Sequence, residues 1–150
     1  MSVDGAIVER WIQRTLETYP PETLPFLIGE QDLFRNPVGH TLRENLATLV
    51  HELLGSMDRN RIASALDALV RLRAVQDFSP AEAVGFVFGL RDAVQAISGP
   101  VPETLQGRID ELALMAFDRY TNCREQIFEL RINELRRWTS YASSGERELP

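Results

Sequence analysis

Lysine is missing from this chain of 150 residues, and all sixteen basic positions are arginine. Most exposed sites accept either cation, so the bias fits the base composition of the coding sequence and identifies no partner. Acidic residues outnumber basic ones 22 to 16, leaving a net charge of −6. A role built on broad attraction to phosphate backbones has little support, and no nucleic-acid partner is expected. Cys123 is the only cysteine, which excludes an intramolecular disulfide and any metal site built from several thiolates. It is expected to sit as a small apolar residue.

Long apolar runs are also missing. Asp4, Glu9, Glu17 and Glu22 interrupt the first thirty residues, so neither a signal peptide nor a membrane anchor is expected, and the chain is placed in the cytoplasm. Strict apolar and polar alternation occurs nowhere, which removes half-buried strands. A glycine-rich phosphate loop and a strand-turn-helix nucleophile elbow are both lacking. Gly85-Phe86-Val87-Phe88-Gly89 falls inside a helical pattern whose amides are already used, so it is not a phosphate cradle.

Helical periodicity fills nearly everything else, and the expected class is all-α. With 44% hydrophobic and 25% charged residues, the chain can bury the core of one domain. The first helix is expected from Val3 to about Tyr19, with Ile7, Val8, Trp11, Ile12 and Leu16 on one stripe and Pro20-Pro21 ending it. The proline-spaced stretch to Arg35 is too apolar for a free linker, with Leu24, Phe26, Leu27, Leu33 and Phe34, and is expected to pack on the core. Asn36-Pro37 reads as an N-cap followed by proline at the first helical position, opening a helix that Gly55 closes. Asp58 caps the next, which carries Ile62, Leu66, Leu69, Val70, Leu72 and Val75 and ends near Phe78. Arg71 and Arg73, near its C-terminus, are accounted for by the macrodipole.

Ser79-Pro80-Ala81-Glu82 fits a capping box, opening a single helix that ends at Ser98-Gly99-Pro100. Gly85 and Gly89 would each cost about 1 kcal/mol in an exposed helix, which points to a neighbouring backbone approaching closely at both. The last helix starts near Pro102 or Glu103 and runs through Tyr141 without an internal proline. At about 1.5 Å per residue it would span nearly 60 Å, roughly twice the diameter of a small domain, so part of it must project, bend or find a partner. Ile109, Leu112, Met115, Ala116, Tyr120, Cys123, Ile127, Leu130, Leu135, Trp138 and Tyr141 form one apolar series on it, and Phe117, Phe128 and Ile132 a second. Intramolecular packing together with homodimerisation would account for both. The domain is taken as residues 1–141, with 142–150 a flexible tail.

No catalytic constellation emerges. His40 and His51 lie eleven residues apart on one helix, about 16 Å along its axis, so they cannot share a metal within one chain. His51, beside Val50 and Leu53, would be the residue for single axial haem ligation, although a structural role is preferred. The mixed charges from Asp110 to Glu134 read first as a solvated face and second as a surface that selects a partner's register.

Three motifs carry a resemblance. They are Asn36-Pro37-Val38-Gly39, then Arg73-Ala74-Val75-Gln76-Asp77-Phe78-Ser79-Pro80 followed by Ala83-Val84-Gly85-Phe86-Val87-Phe88, and Ala116-Phe117-Asp118-Arg119-Tyr120 continuing through Cys123-Arg124-Glu125 to Asn133-Glu134. From about Trp11 to Trp138 the chain resembles the N-terminal sensor domain of the RsbR and RsbRD class, co-antagonists of the RsbT kinase in the bacterial stressosome. That resemblance implies a globin-like helical bundle without haem, its pocket filled by side chains, and a homodimer built from the first and last helices. Fused family members continue into a STAS phosphoacceptor domain; none follows Tyr141 here, so a stand-alone domain acting through contacts with an unidentified protein partner is expected. The expected function is a non-enzymatic sensory or adaptor domain, with a haem- or small-ligand-binding globin-like sensor as the alternative. No catalytic, cofactor-binding or metal residues are assigned, and Ile7, Trp11, Ile127, Leu130, Leu135 and Trp138 are the expected dimer-interface residues.

Overall fold

The computed structural model describes residues 2–29, 35–76 and 78–147, and among these every regular element is helical. Helix α1 covers Val3–Leu16, and its N-terminus is held by Ser2, whose hydroxyl accepts from the Gly5 N–H at 3.1 Å. It ends one turn earlier than Tyr19, because Thr18 and Tyr19 close a turn ahead of Pro20-Pro21. The apolar stretch after it contains a short helix, α2 (Leu24–Gly29), with Leu27 buried and Phe26 exposed. Leu33 and Phe34 lie outside the described residues.

Asn36 caps α3 (Pro37–Leu54) by accepting from the Gly39 N–H at 2.9 Å, while its own amide donates to the Leu27 carbonyl at 2.9 Å. One buried side chain therefore starts α3 and anchors α2. A Cβ at Gly39 would collide with the Asn36 amide, so the glycine of Asn36-Pro37-Val38-Gly39 is there for space. Asp58 caps α4 (Arg59–Ala74) through the amides of Asn60 and Arg61, as its position implies.

The capping box at Ser79 is complete: its hydroxyl accepts from the Glu82 N–H at 3.2 Å, and the Glu82 carboxylate accepts from the Ser79 N–H at 3.0 Å. The segment it opens is not one helix. Helix α5 (Pro80–Gly85) tightens into a 3-10 turn at Phe86–Phe88, and α6 resumes over Gly89–Ser98. Gly99, at φ 85°, stops α6 in a conformation that side chains rarely adopt. The expectation for the glycine pair also needs correction. At Gly89 a Cβ would stand 3.2 Å from Trp11 Cδ1, so the close neighbour is an indole and not a backbone; at Gly85 nothing lies within 4 Å.

Helix α7 runs over Glu103–Arg147, 45 residues and roughly 65 to 70 Å. It continues beyond Tyr141, where the sequence suggests a flexible tail, because Ala142, Ser143 and Ser144 permit the same backbone hydrogen bonding; residues 148–150 lie outside the described part. Helix α3 packs on α4, α1 on both α6 and α3, and α4 on α7. Trp11, Leu42, Leu46, Leu53, Leu66, Leu90, Ile109 and Leu112 are almost fully buried between them. Each such aliphatic side chain contributes about 1.5–3 kcal/mol relative to exposure.

Candidate functional site

The ends of α1, α4 and α5 meet at Arg73. Its side chain is 0% exposed, although the last turn of a helix is where a surface position is expected. Nε donates to the Ala83 carbonyl at 2.9 Å and Nη2 to the Glu82 carbonyl at 2.7 Å. Both acceptors sit where α5 gives way to the 3-10 turn, so the guanidinium serves carbonyls that a continuing α-helix would have used. Thr18 Oγ1 accepts from both terminal nitrogens at 3.3 Å. The cation lies 4.2 Å from the Phe78 ring centroid, with Phe86 and Tyr19 at 5.4 and 5.6 Å. Burial draws Arg73 below its ordinary pKa, while Tyr19 and Glu82 act in the opposite direction. The placement has a trace in the sequence: Ile62, Leu66, Leu69 and Arg73 fall on one helical stripe, which makes Arg73 a core position.

Beside this hub lies a cavity of about 690 Å³, in the size range of small-molecule sites. Pro20, Pro21, Leu27, Val38 and Phe78 give it apolar walls, and Thr18, Tyr19, Thr23, Gln76 and Glu82 supply the polar atoms. Tyr19 meets Phe78 edge to face at 5.4 Å. Its hydroxyl and Gln76 Oε1 are both buried, and the Gln76 and Arg73 side chains lie close enough to the phenol to act on it by hydrogen bonding. Burial pushes the Tyr19 phenol above its usual pKa, opposed by the Arg73 charge and the nearby Gln76 and Arg73 side chains, so it remains protonated near neutral pH. Nothing in the sequence singles out Tyr19 or Gln76; each belongs to a helix end that proline disrupts.

Phe78 has a second set of neighbours. It packs against a small cluster of Val70, Ala74, Ala83 and Tyr120, where Cys123 and Ile127 are also found. This is where α7 leaves the body. Arg124 Nη1 donates to the Ala74 carbonyl at 3.1 Å, and Arg119 reaches both Asp67 oxygens at 3.3 Å. Beyond Tyr120 no residue through Ser144 is buried. Leu130, Leu135, Trp138 and Tyr141 are each more than 60% exposed.

The six expected interface residues therefore divide. Ile127 is half-buried, and Leu130, Leu135 and Trp138 stand free on the projecting helix. Ile7 and Trp11 do not: they are 2% and 0% exposed in the chain's own core, and Trp11 Nε1 donates to the Phe86 carbonyl at 2.7 Å. Their stripe faces α3 and α6, which removes them from any external surface. His51 is exposed on α3 and lies outside the cavity, while His40 is half-buried near the start of the same helix. Among the described residues no cluster of His, Cys, Asp and Glu is placed to hold a metal, and no helix is long and apolar enough to cross a membrane.

A second buried charge stiffens the α3–α4 corner. Glu52, whose side chain is 2% exposed, accepts from the Asp58 N–H at 3.0 Å, from Ser56 Oγ at 3.1 Å and from Arg61 Nη1 at 3.4 Å. The Asp58 amide is the main reason its pKa falls below the usual carboxylate range, with Ser56 and Arg61 adding to it against the effect of burial.

Similarity to known proteins extends over the helical body and into the projecting part of α7. An uncharacterized protein of Archaeoglobus fulgidus is 28% identical over 134 residues, which is 85% of this chain and 82% of the relative. No solved structure matches the chain. Residues 5–135 match the family described as the RsbT co-antagonist protein RsbRD N-terminal domain. With that span reaching from α1 to the exposed part of α7, the chain belongs to the RsbRD N-terminal domain family.

Proposed function

We propose that this protein is a non-enzymatic sensory or adaptor domain of bacterial signalling type, globin-like and haem-free, which acts as a homodimer and presents its output surface on α7. The observation that carries this is the continuation of the core-facing stripe of α7 past the end of the core. Ile109, Leu112, Ala116 and Tyr120 are covered by α3, α4 and the α5 region. The same spacing then continues through Ile127, half-buried against the cluster of Val70, Ala74, Ala83 and Tyr120, to Leu130 and Trp138 with nothing of this chain over them. Exposed apolar area of this extent on one helix is what a partner covers, and a second identical helix supplies a self-complementary surface. Membership of the family supports a signalling role in place of an enzymatic one.

Light scattering at micromolar concentration should give the mass of two chains. Trp138→Glu and Leu135→Glu should each shift it towards one chain without changing the helical circular dichroism. A monomeric wild type, or a dimer indifferent to both substitutions, would remove α7 as the interface. Added haem should produce no Soret shift that depends on His51, since that residue is exposed on the outer side of α3.

A further inference from the structure

We infer that, within the homodimer proposed above and depending on it, the two α7 helices run antiparallel, so that each seats its Trp138 in an aromatic groove at the root of the other. The groove holds about 480 Å³ and lies where α7 leaves the body, with Phe78, Pro80, Phe117, Tyr120 and Phe128 as apolar walls and Arg124 and Glu125 beside them. Phe117 and Phe128 are more than half exposed, and so is Leu114 one turn before. Leu114 and Phe117 belong to the half of α7 whose other face, Leu112 and Ala116, is packed in the core, so projection of the helix does not account for their exposure. Their apolar counterpart stands at the opposite end, where Leu135 and Trp138 are free. Trp138 is about 26 Å further along the same uninterrupted helix than Thr121 in the groove, so a chain cannot fill its own groove. A second copy can fill it, and receives the same contact in return.

Charge sets the direction. Phe117, Arg124, Arg131 and Trp138 recur every seven residues on α7, with Phe128 and Leu135 between them on the same face. In a parallel pair joined through that face, Arg124 and Arg131 would each oppose their own copies. Reversing one helix removes both conflicts. With Trp138 level with the partner's Thr121, Arg131 meets the ring of the partner's Phe128, Arg136 comes beside the partner's Glu125, and Glu134 comes beside the partner's Arg124. Each contact forms twice about a two-fold axis near Glu129 and Leu130. Glu125 and Arg136 are exposed, so their pairing selects the register while the buried aromatics supply most of the affinity.

Electron–electron double resonance on the full-length protein carrying Cys123→Ser and a spin label at Ser143→Cys reads the direction, and light scattering on the same sample reads the mass. An antiparallel pair should put the two labels about 40 Å apart, whereas a parallel pair would hold them within about 25 Å. Phe117→Glu, which lies outside the projecting half, should weaken the dimer at least ten-fold with the helical circular dichroism unchanged. Glu125→Arg and Arg136→Glu should each weaken it at least three-fold and together restore it, because these positions are about 16 Å apart within one helix and meet only across the interface. A dimer with the short label separation, with affinity indifferent to Phe117→Glu, or with no recovery in the double variant would overturn the antiparallel seating and leave the homodimer standing. A monomeric wild type would remove both.

Discussion

Two halves of α7 carry the same kind of apolar spacing and have opposite fates. From Leu105 to Tyr120 the stripe is closed over by the body, Ile127 is half-buried at the boundary, and from Leu130 to Tyr141 the stripe stands in solvent. Periodicity thus reports that a face is made to be covered, and is silent on whether the cover is the same chain or another. The contrast separates two kinds of dependence. Substitutions in the first half and its neighbours should cost folding, and those in the second half should cost association alone.

The largest effect is expected at the hub. Arg73→Met would leave the Ala83 and Glu82 carbonyls short of donors inside the protein and should lower stability by on the order of 3 kcal/mol, measured by urea unfolding of a sample held monomeric by Trp138→Glu. A loss under about 0.5 kcal/mol would mean that the hub is not part of what holds the body together.

Acid should reach the α3–α4 corner next. The pKa values of Glu52 and Glu82 are lower in the folded chain than in the unfolded one, so their contribution is complete above the ordinary carboxylate value of about 4.3 and is lost as pH falls below it. Glu52→Gln should lower the melting temperature at pH 7 and flatten its decline between about pH 4.5 and 3. An unchanged slope would transfer the acid sensitivity to other carboxylates.

Smaller and opposite effects are expected at the two glycines. Gly89→Ala presses a methyl against an indole locked by its bond to Phe86, and should cost about 1 kcal/mol. Gly85→Ala meets open space and should stabilise by about 0.5–1 kcal/mol. Equal changes by thermal unfolding would contradict the difference in their surroundings. The smallest folding effect belongs to the projecting half: Leu135→Glu should leave the unfolding of the monomer within about 0.5 kcal/mol of wild type while abolishing association.

Features settled within a few residues can be read from the sequence. Asn36, Asp58 and Ser79 all cap helices because the hydroxyl, amide or carboxylate needs only the next two or three amides. Gly55, Gly99 and the start of α7 at Glu103 depend on equally local chemistry. The hub cannot be read in this way, since Thr18 is 55 residues from Arg73 and the carbonyls of Glu82 and Ala83 become available only because the helix tightens at Phe86. Sequence alone leaves Trp11 open between core and interface for the same reason: its partner, the Phe86 carbonyl, is 75 residues away. The cavity is invisible there too, because it is bounded by two interrupted helix ends whose meeting depends on the whole body.

The arginine bias gains a structural use. Arg108 donates to the Leu53 and Gly55 carbonyls, Arg124 to that of Ala74, and Arg73 to those of Glu82 and Ala83. Each binds the C-terminal end of a different helix, and Arg108 and Arg73 reach two carbonyls at once. In Arg73 the two carbonyls are taken by different nitrogens of the planar fork, a geometry that a single ammonium lacks.

Helix α7 has no proline between Glu103 and Arg147, and its projecting part is about 40 Å long. Pinned by Arg119 and Arg124 at its root, it is a lever with a short and a long arm. A tilt of about 5° at Tyr120, small enough to result from a shift of one aromatic ring beneath it, carries the tip about 3 to 4 Å, which is the width of a side-chain contact. A partner held at the far end would feel the packing around Phe78 magnified.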